Sequence, residues 1–118
     1  MKIGVFDSGL GGLSILKALR RGLPSYDYLY LGDNLHVPYG NRSCEEIIFW
    51  AHKIIPFFIK KNCALVIFAC NTASALALPT IQKEFDGKLK VLGVVRPTSE
   101  FLASHNFGKV GFIGTTNT

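Results

Sequence analysis

The chain opens with a short apolar run at 2–6 that ends on Asp7, and runs of the same kind recur along its length. Residues 26–31 (Tyr-Asp-Tyr-Leu-Tyr-Leu) alternate, 64–69 are continuously apolar, and 89–95 and 109–113 are again apolar. Each reads as a strand. Between them the apolar spacing lengthens to that of a helix over 12–21, 43–60, 71–85 and 98–104. Ser43 followed by Glu46 is a capping-box signature, so the second helix should open just after Ser43. Pro56 inside that helix predicts a kink or an early stop, and Pro79 inside the third a kink or a break. The polar stretch 32–41, with its glycines and proline, is a long loop.

Strands alternating with helices, and apolar on both sides, form a parallel sheet covered on both faces. The expected fold is therefore α/β, a three-layer parallel sheet with helices on both faces, joined by right-handed crossovers. A length of 118 residues suits one such domain and not two. The chain stops at Gly114-Thr115-Thr116-Asn117-Thr118, which resembles a strand-to-helix turn with no helix following. That ending predicts a cut chain.

Composition narrows the function classes. Hydrophobic residues make up 48% and charged residues 18%, which excludes a disordered chain. No apolar run is long enough to span a bilayer, and Asp7 comes too early for a signal peptide, so a cytoplasmic protein with no membrane partner is expected. Cys44, Cys63 and Cys70 form no CxxC pair, and His36, His52 and His105 are scattered. These read as free thiols and isolated imidazoles, with no metal site. The net charge of +5 comes from scattered basic pairs such as Arg20-Arg21 and Lys60-Lys61. That is a solvated surface rather than a nucleic-acid footprint.

Ligands bind open parallel sheets at the carboxyl ends of the strands. After the first strand comes Asp7-Ser8-Gly9-Leu10-Gly11-Gly12, and after the second Gly32-Asp33-Asn34 and then Val37-Pro38-Tyr39-Gly40. Cys70-Asn71-Thr72-Ala73-Ser74 follows the third, and the threonine-rich end follows the fifth. All four loops should open on one edge, and each carries small hydroxyl, amide or acidic groups. Cys70 is the sharpest candidate. It precedes a helix N-terminus, whose free N–H groups favour the thiolate. The bland alternative is a small cysteine filling space, which is how Cys44 and Cys63 are read. Asp7 ends a buried strand, where a carboxylate near a thiol can relay a proton. For Ser8 the bland alternative is a helix cap, and for Asp7 a local turn. The glycine turn also resembles a dinucleotide fingerprint, with Ser14 where a third glycine or alanine belongs. Asp7 beside it would repel a pyrophosphate, and no P-loop is present.

Taken in order, three blocks resemble the aspartate/glutamate racemase family, its glutamate-specific members most closely. They are Ile3-Gly4-Val5-Phe6-Asp7-Ser8-Gly9-Leu10-Gly11-Gly12-Leu13, Gly32-Asp33 with Val37-Pro38-Tyr39-Gly40, and Ala69-Cys70-Asn71-Thr72-Ala73-Ser74-Ala75. The resemblance implies a flavodoxin-like domain and racemisation of glutamate without a cofactor, supplying D-glutamate for peptidoglycan. It implies Cys70 as the first of two thiols facing each other across the substrate α-carbon, with Asp7 assisting it. It further implies Ser8, Tyr39, Gly40, Asn71 and Thr72 as substrate-binding residues, and Thr115, Thr116 and Thr118 as part of a threonine-rich wall.

Two departures stand out. Val95-Arg96-Pro97 places an arginine where the family carries an acid, reversing charge near the site. The family fold has two similar domains, and the second supplies the other cysteine with a threonine and a histidine. Residues 1–118 therefore correspond to the N-terminal domain, with the C-terminal one absent. Such a half should be inactive as a racemase alone, and an uncovered apolar face favours a homodimer. Aspartate racemisation, or a domain that binds an amino acid without catalysis, are the competing readings.

Overall fold

The computed structural model describes residues 1–118. Four parallel strands, β1 (Lys2–Asp7), β2 (Asp27–Gly32), β3 (Cys63–Phe68) and β4 (Lys90–Gly93), form one sheet in the order β2-β1-β3-β4. Helix α1 (Leu13–Gly22) follows β1 and α2 (Cys44–Lys60) joins β2 to β3. Helices α3 (Asn71–Leu76) and α4 (Leu78–Glu84) join β3 to β4, and α5 (Val95–Ser104) follows β4. The register sets Phe6 beside Leu31 and Phe68, and Val66 beside Val91.

Alternation along the strands decides which residues meet which helix. Gly4 and Phe6 face α2, because a Cβ at Gly4 would lie 2.5 Å from the Phe58 ring. Ile3 and its neighbour Tyr28 face the other way, where the Tyr28 hydroxyl donates to the carbonyls of Leu19 and Leu23 at 3.1 and 2.8 Å. Thus α1 and α2 cover opposite faces, the expected three layers. The α2 face is the denser. Phe6, Ile47, Ile55, Phe58, Val66, Phe68 and Ile81 are all fully buried there. Each large side chain contributes on the order of 1.5–3 kcal/mol by leaving water.

The capping box forms as expected. Ser43 Oγ accepts from the Glu46 N–H at 3.2 Å and Glu46 Oε2 from the Ser43 N–H at 3.0 Å. Helix α2 does not stop at Pro56. Ile55 and Phe58, fully buried on either side of it, anchor the helix to the sheet. It ends where Asn62 takes up a left-handed conformation, φ 57°. At the second proline the chain does break, at Ala77, and Pro79 enters α4 in its first turn. A missing N–H costs nothing there.

Three expectations need correction. β4 ends at Gly93 rather than 95, and α5 begins at Val95 rather than 98, because Val94 is already helical in φ and ψ and Pro97 is preset for a first turn. Residues 109–113 form no strand: Val110, Phe112 and Ile113 are 56%, 76% and 101% exposed. A parallel edge strand needs a long partner and cover on both faces. β4 offers four residues, and α5, with no buried side chain, offers no cover. No helix is long and apolar enough to cross a membrane.

Candidate active site

Strand order fixes where a site can lie. From β1 the chain crosses to β2 on one side, and from β3 to β4 on the other, so the loops after β1 and β3 diverge. That divergence is the switch point at which open α/β sheets bind ligands. Asp7 and Cys70 stand on its two sides. The Ala69 N–H donates to the Phe6 carbonyl at 2.7 Å, tying the two strand ends together. Gly12 lets α1 start this close, since a Cβ there would lie 2.6 Å from the Cβ of Asp7 and 2.9 Å from that of Ala69.

Cys70 is buried and is the N-cap of α3, its Sγ accepting from the Ala73 N–H at 3.4 Å. Because α3 has only six residues, what the helix presents to the sulfur is this one first-turn N–H rather than a long dipole. Asp7, also buried, accepts from the Gly9 N–H at 2.9 Å through Oδ2. Its carbonyl accepts the Asp33 N–H at 2.9 Å, which brings the β2 loop to the same edge. Ser8 is half-buried and caps no helix, since the N-cap of α1 is Gly12.

Tyr39 is placed otherwise than a ligand-facing side chain would be. Its ring is buried against Phe6 and Trp50, with centroids 6.2 and 5.4 Å away, and its hydroxyl donates to Asp33 Oδ2 at 2.6 Å. Tyr39 and Gly40 can therefore offer the cleft only their backbone. Burial pushes the Tyr39 phenol far up, helped by the hydrogen bond to Asp33 and by its charge, and then by Cys70 and Asp7. Asp33 also accepts from His36 Nδ1 at 2.8 Å, and the imidazole stacks on Trp50 at 4.3 Å.

Thr72 is buried, with its Oγ1 3.3 Å from those of both Thr115 and Thr118. Thr115 in turn covers Gly40, where a Cβ would lie 2.7 Å from the threonine methyl. Asn71, the first residue of α3, is exposed, and so is Thr116, whose side chain makes no hydrogen bond. Arg96 lies in the first turn of α5, 86% exposed and paired with Glu100 at 2.7 Å. No cluster of three histidine, cysteine or acidic side chains could hold a metal ion.

Three residues that belong to this edge were not among the candidates. Asp33 positions Tyr39, and Asn117 reaches the β2 loop. Tyr30 donates to the Gly9 carbonyl at 2.7 Å. Its phenol is pushed up to about 12, first by burial, then by the charge of Asp7 and a hydrogen bond with it, then by Cys70. Strand alternation carried one available signal. Tyr30 pairs with Val5 and so shares a face with Asp7.

These features define a flavodoxin-like α/β domain with a thiol and a carboxylate at its switch point, walled by threonines. No family model matches the chain. The glutamate racemase of Aquifex aeolicus is 44% identical to it over 119 residues, covering 100% of this chain and 46% of that protein. Among solved structures, glutamate racemase from Thermus thermophilus in complex with β-chloro-D-alanine superposes with a TM-score of 0.86 at 44% identity, over 98% of this chain and 44% of that one. Glutamate racemase from Francisella tularensis in complex with D-glutamate gives 0.81 at 37% identity, over 89% of this chain and 39% of that one. Over its whole length the chain is similar to glutamate racemases, and it spans less than half the length of these relatives.

Proposed function

We propose that this chain is the N-terminal, Cys70-bearing half of a glutamate racemase that interconverts L- and D-glutamate with two thiols and no cofactor. The observation that carries this reading is the setting of Cys70, buried at the switch point with an N–H on its sulfur and Asp7 on the adjoining strand end. An α-proton beside an ionised carboxylate is very weakly acidic, and no electron sink of the pyridoxal kind is invoked. Preorganised donors must then stabilise the carbanion. Ser8, Asn71, Thr72, the backbone of Tyr39 and Gly40, and Thr115, Thr116 and Thr118 fill that role for the carboxylates and amine.

In this reading the Cys70 thiolate takes the α-proton of D-glutamate and becomes a thiol, and the C–H electron pair passes to the α-carbon and its carboxylate. A second thiol, from the part of the protein this chain does not contain, donates its proton to the opposite face and is left as thiolate. Asp7 assists the proton transfer at Cys70. These steps form L-glutamate; run in reverse, from the second thiol to Cys70, they form D-glutamate, a precursor of peptidoglycan made in the cytoplasm. With one thiol, the chain alone exchanges a proton but does not invert the centre.

The test is solvent-deuterium exchange at the α-carbon, followed by NMR. Exchange of D-glutamate, retaining configuration and lost in Cys70→Ala, is expected. A chain that binds glutamate equally well with and without Cys70, and exchanges neither enantiomer, is a binding module and ends the catalytic reading. Exchange of aspartate in place of glutamate moves the assignment to aspartate racemisation.

A further inference from the structure

Residues 105–114 reach the site edge without joining the sheet, so 115–118 are held there by side-chain contacts. Asn117 makes two of them. Its amide donates to the carbonyl of Gly40 at 3.0 Å and to that of Arg42 at 2.8 Å, across the Tyr39–Asn41 turn. A side-chain amide has two N–H donors, and both are spent on the backbone of one turn. The opposite side of the segment is fastened to α3. Thr72 Oγ1 lies 3.3 Å from Thr115 Oγ1 and from Thr118 Oγ1, which are 2.8 Å from each other. The Thr118 N–H closes the turn on the Thr115 carbonyl at 3.0 Å. One short segment thus ties the β2 loop to the helix that Cys70 caps.

We propose that Asn117 is a positioning residue whose paired hydrogen bonds hold the Tyr39–Gly40 backbone closed against the wall that contains Cys70. It acts through Gly40 and not on the ligand, while the Thr115 methyl over Gly40 limits the pocket on that side. The proposal rests on the reading that Gly40 and Cys70 face the same ligand. It also makes a claim about Cys70 accessibility that needs no ligand.

The test is the rate of alkylation of each cysteine by iodoacetamide, resolved by peptide mass spectrometry, in the wild-type chain, Asn117→Asp and Asn117→Ala. The aspartate keeps the shape of asparagine but turns an acceptor towards two carbonyls. Both variants should alkylate Cys70 roughly tenfold faster or more, the scale of two lost hydrogen bonds, with Cys63 unchanged. Equal acceleration at Cys44, Cys63 and Cys70 would show general loosening and overturn the proposal. So would an unchanged Cys70 rate, or an aspartate variant that behaves as wild type. D-glutamate added to the wild type should slow alkylation of Cys70. If it does not, the glutamate reading fails, while the ligand-free rates still decide the role of Asn117.

Discussion

Asp7 and Tyr30 leave adjacent strands on the same face, and between them they take both backbone groups of Gly9. The carboxylate accepts its N–H at 2.9 Å and the phenol donates to its carbonyl at 2.7 Å. The glycine turn is therefore held by side chains from two strands, and its mobility should depend on the protonation of Tyr30. In the folded chain burial and the Asp7 charge push this phenol up to about 12, against roughly 10 in an unfolded one. Between those values the unfolded chain has lost a proton that the folded one keeps, so stability falls as pH rises. The contribution is complete below the unfolded value and gone above the folded one. Urea unfolding of wild type and Tyr30→Phe from about pH 9 to 12 checks this. The variant should be less stable at neutral pH by about 1 kcal/mol, with the gap closing as the phenol ionises. Tyr39, also pushed up, is common to both proteins and cancels in the difference. A gap that stays constant with pH would remove Tyr30 from the turn.

Among elements, β1 and α2 approach each other closely at Gly4. A Cβ at Gly4 would lie 2.5 Å from Phe58 Cδ1 and 2.9 Å from Val66 Cγ2, and both neighbours are fully buried with no room to yield. Gly4→Ala should cost about 1–3 kcal/mol by overpacking. Gly22→Ala, at a helix end with nothing within 4 Å, should change stability by no more than about 1 kcal/mol. Denaturant midpoints of the two variants make the comparison, and equal midpoints would mean that the helix simply slides. The same contrast between local and tertiary causes explains what could be read from sequence. β1, β3 and β4 were legible as apolar runs, β2 by its alternation, and α2 because Ser43 and Glu46 cap it locally. What Pro56 does inside that helix was not, because the burial of Ile55 and Phe58 that carries it on to Lys60, where the pattern ends it, is a tertiary effect. Nor was the loss of the fifth strand, which is set by how much edge and cover β4 and α5 supply. At the site, Cys70 and Asp7 were visible because they end strands. Tyr30 was not, because register brings it there; Asp33 and Asn117 lie in loops read as opening on this edge, but the contacts that give them their roles were not legible, and for Tyr39 only the backbone role fits its inward ring.

As a whole molecule the domain is lopsided. The α2 face holds the main core, whereas α1 covers the other face alone and has no fully buried side chain. On that face Leu65 and Ile67 are half-buried and Leu92 is 41% exposed, beside the free edge of β4. Phe112 and Ile113 add apolar surface from an unpaired segment. The Cα radius of gyration, 14.3 Å, exceeds the roughly 13.5 Å expected for a compact chain of this length, in keeping with that segment standing away from the sheet. Apolar surface of this extent drives association, while a net charge of +5 opposes it. Salt screens the second effect and leaves the first. The chain should therefore self-associate with rising concentration, more strongly at high ionic strength. Sedimentation velocity at two salt concentrations measures this directly, with Leu92→Lys as the variant that places a charge on the exposed strip. Weaker association in the variant at both salts assigns the contact to the β4 face. Equal association moves it to the unpaired segment, where Ile113→Lys is the corresponding change. A monomer under every condition would mean that neither surface is sticky enough to matter, and that the thin cover given by α1 suffices.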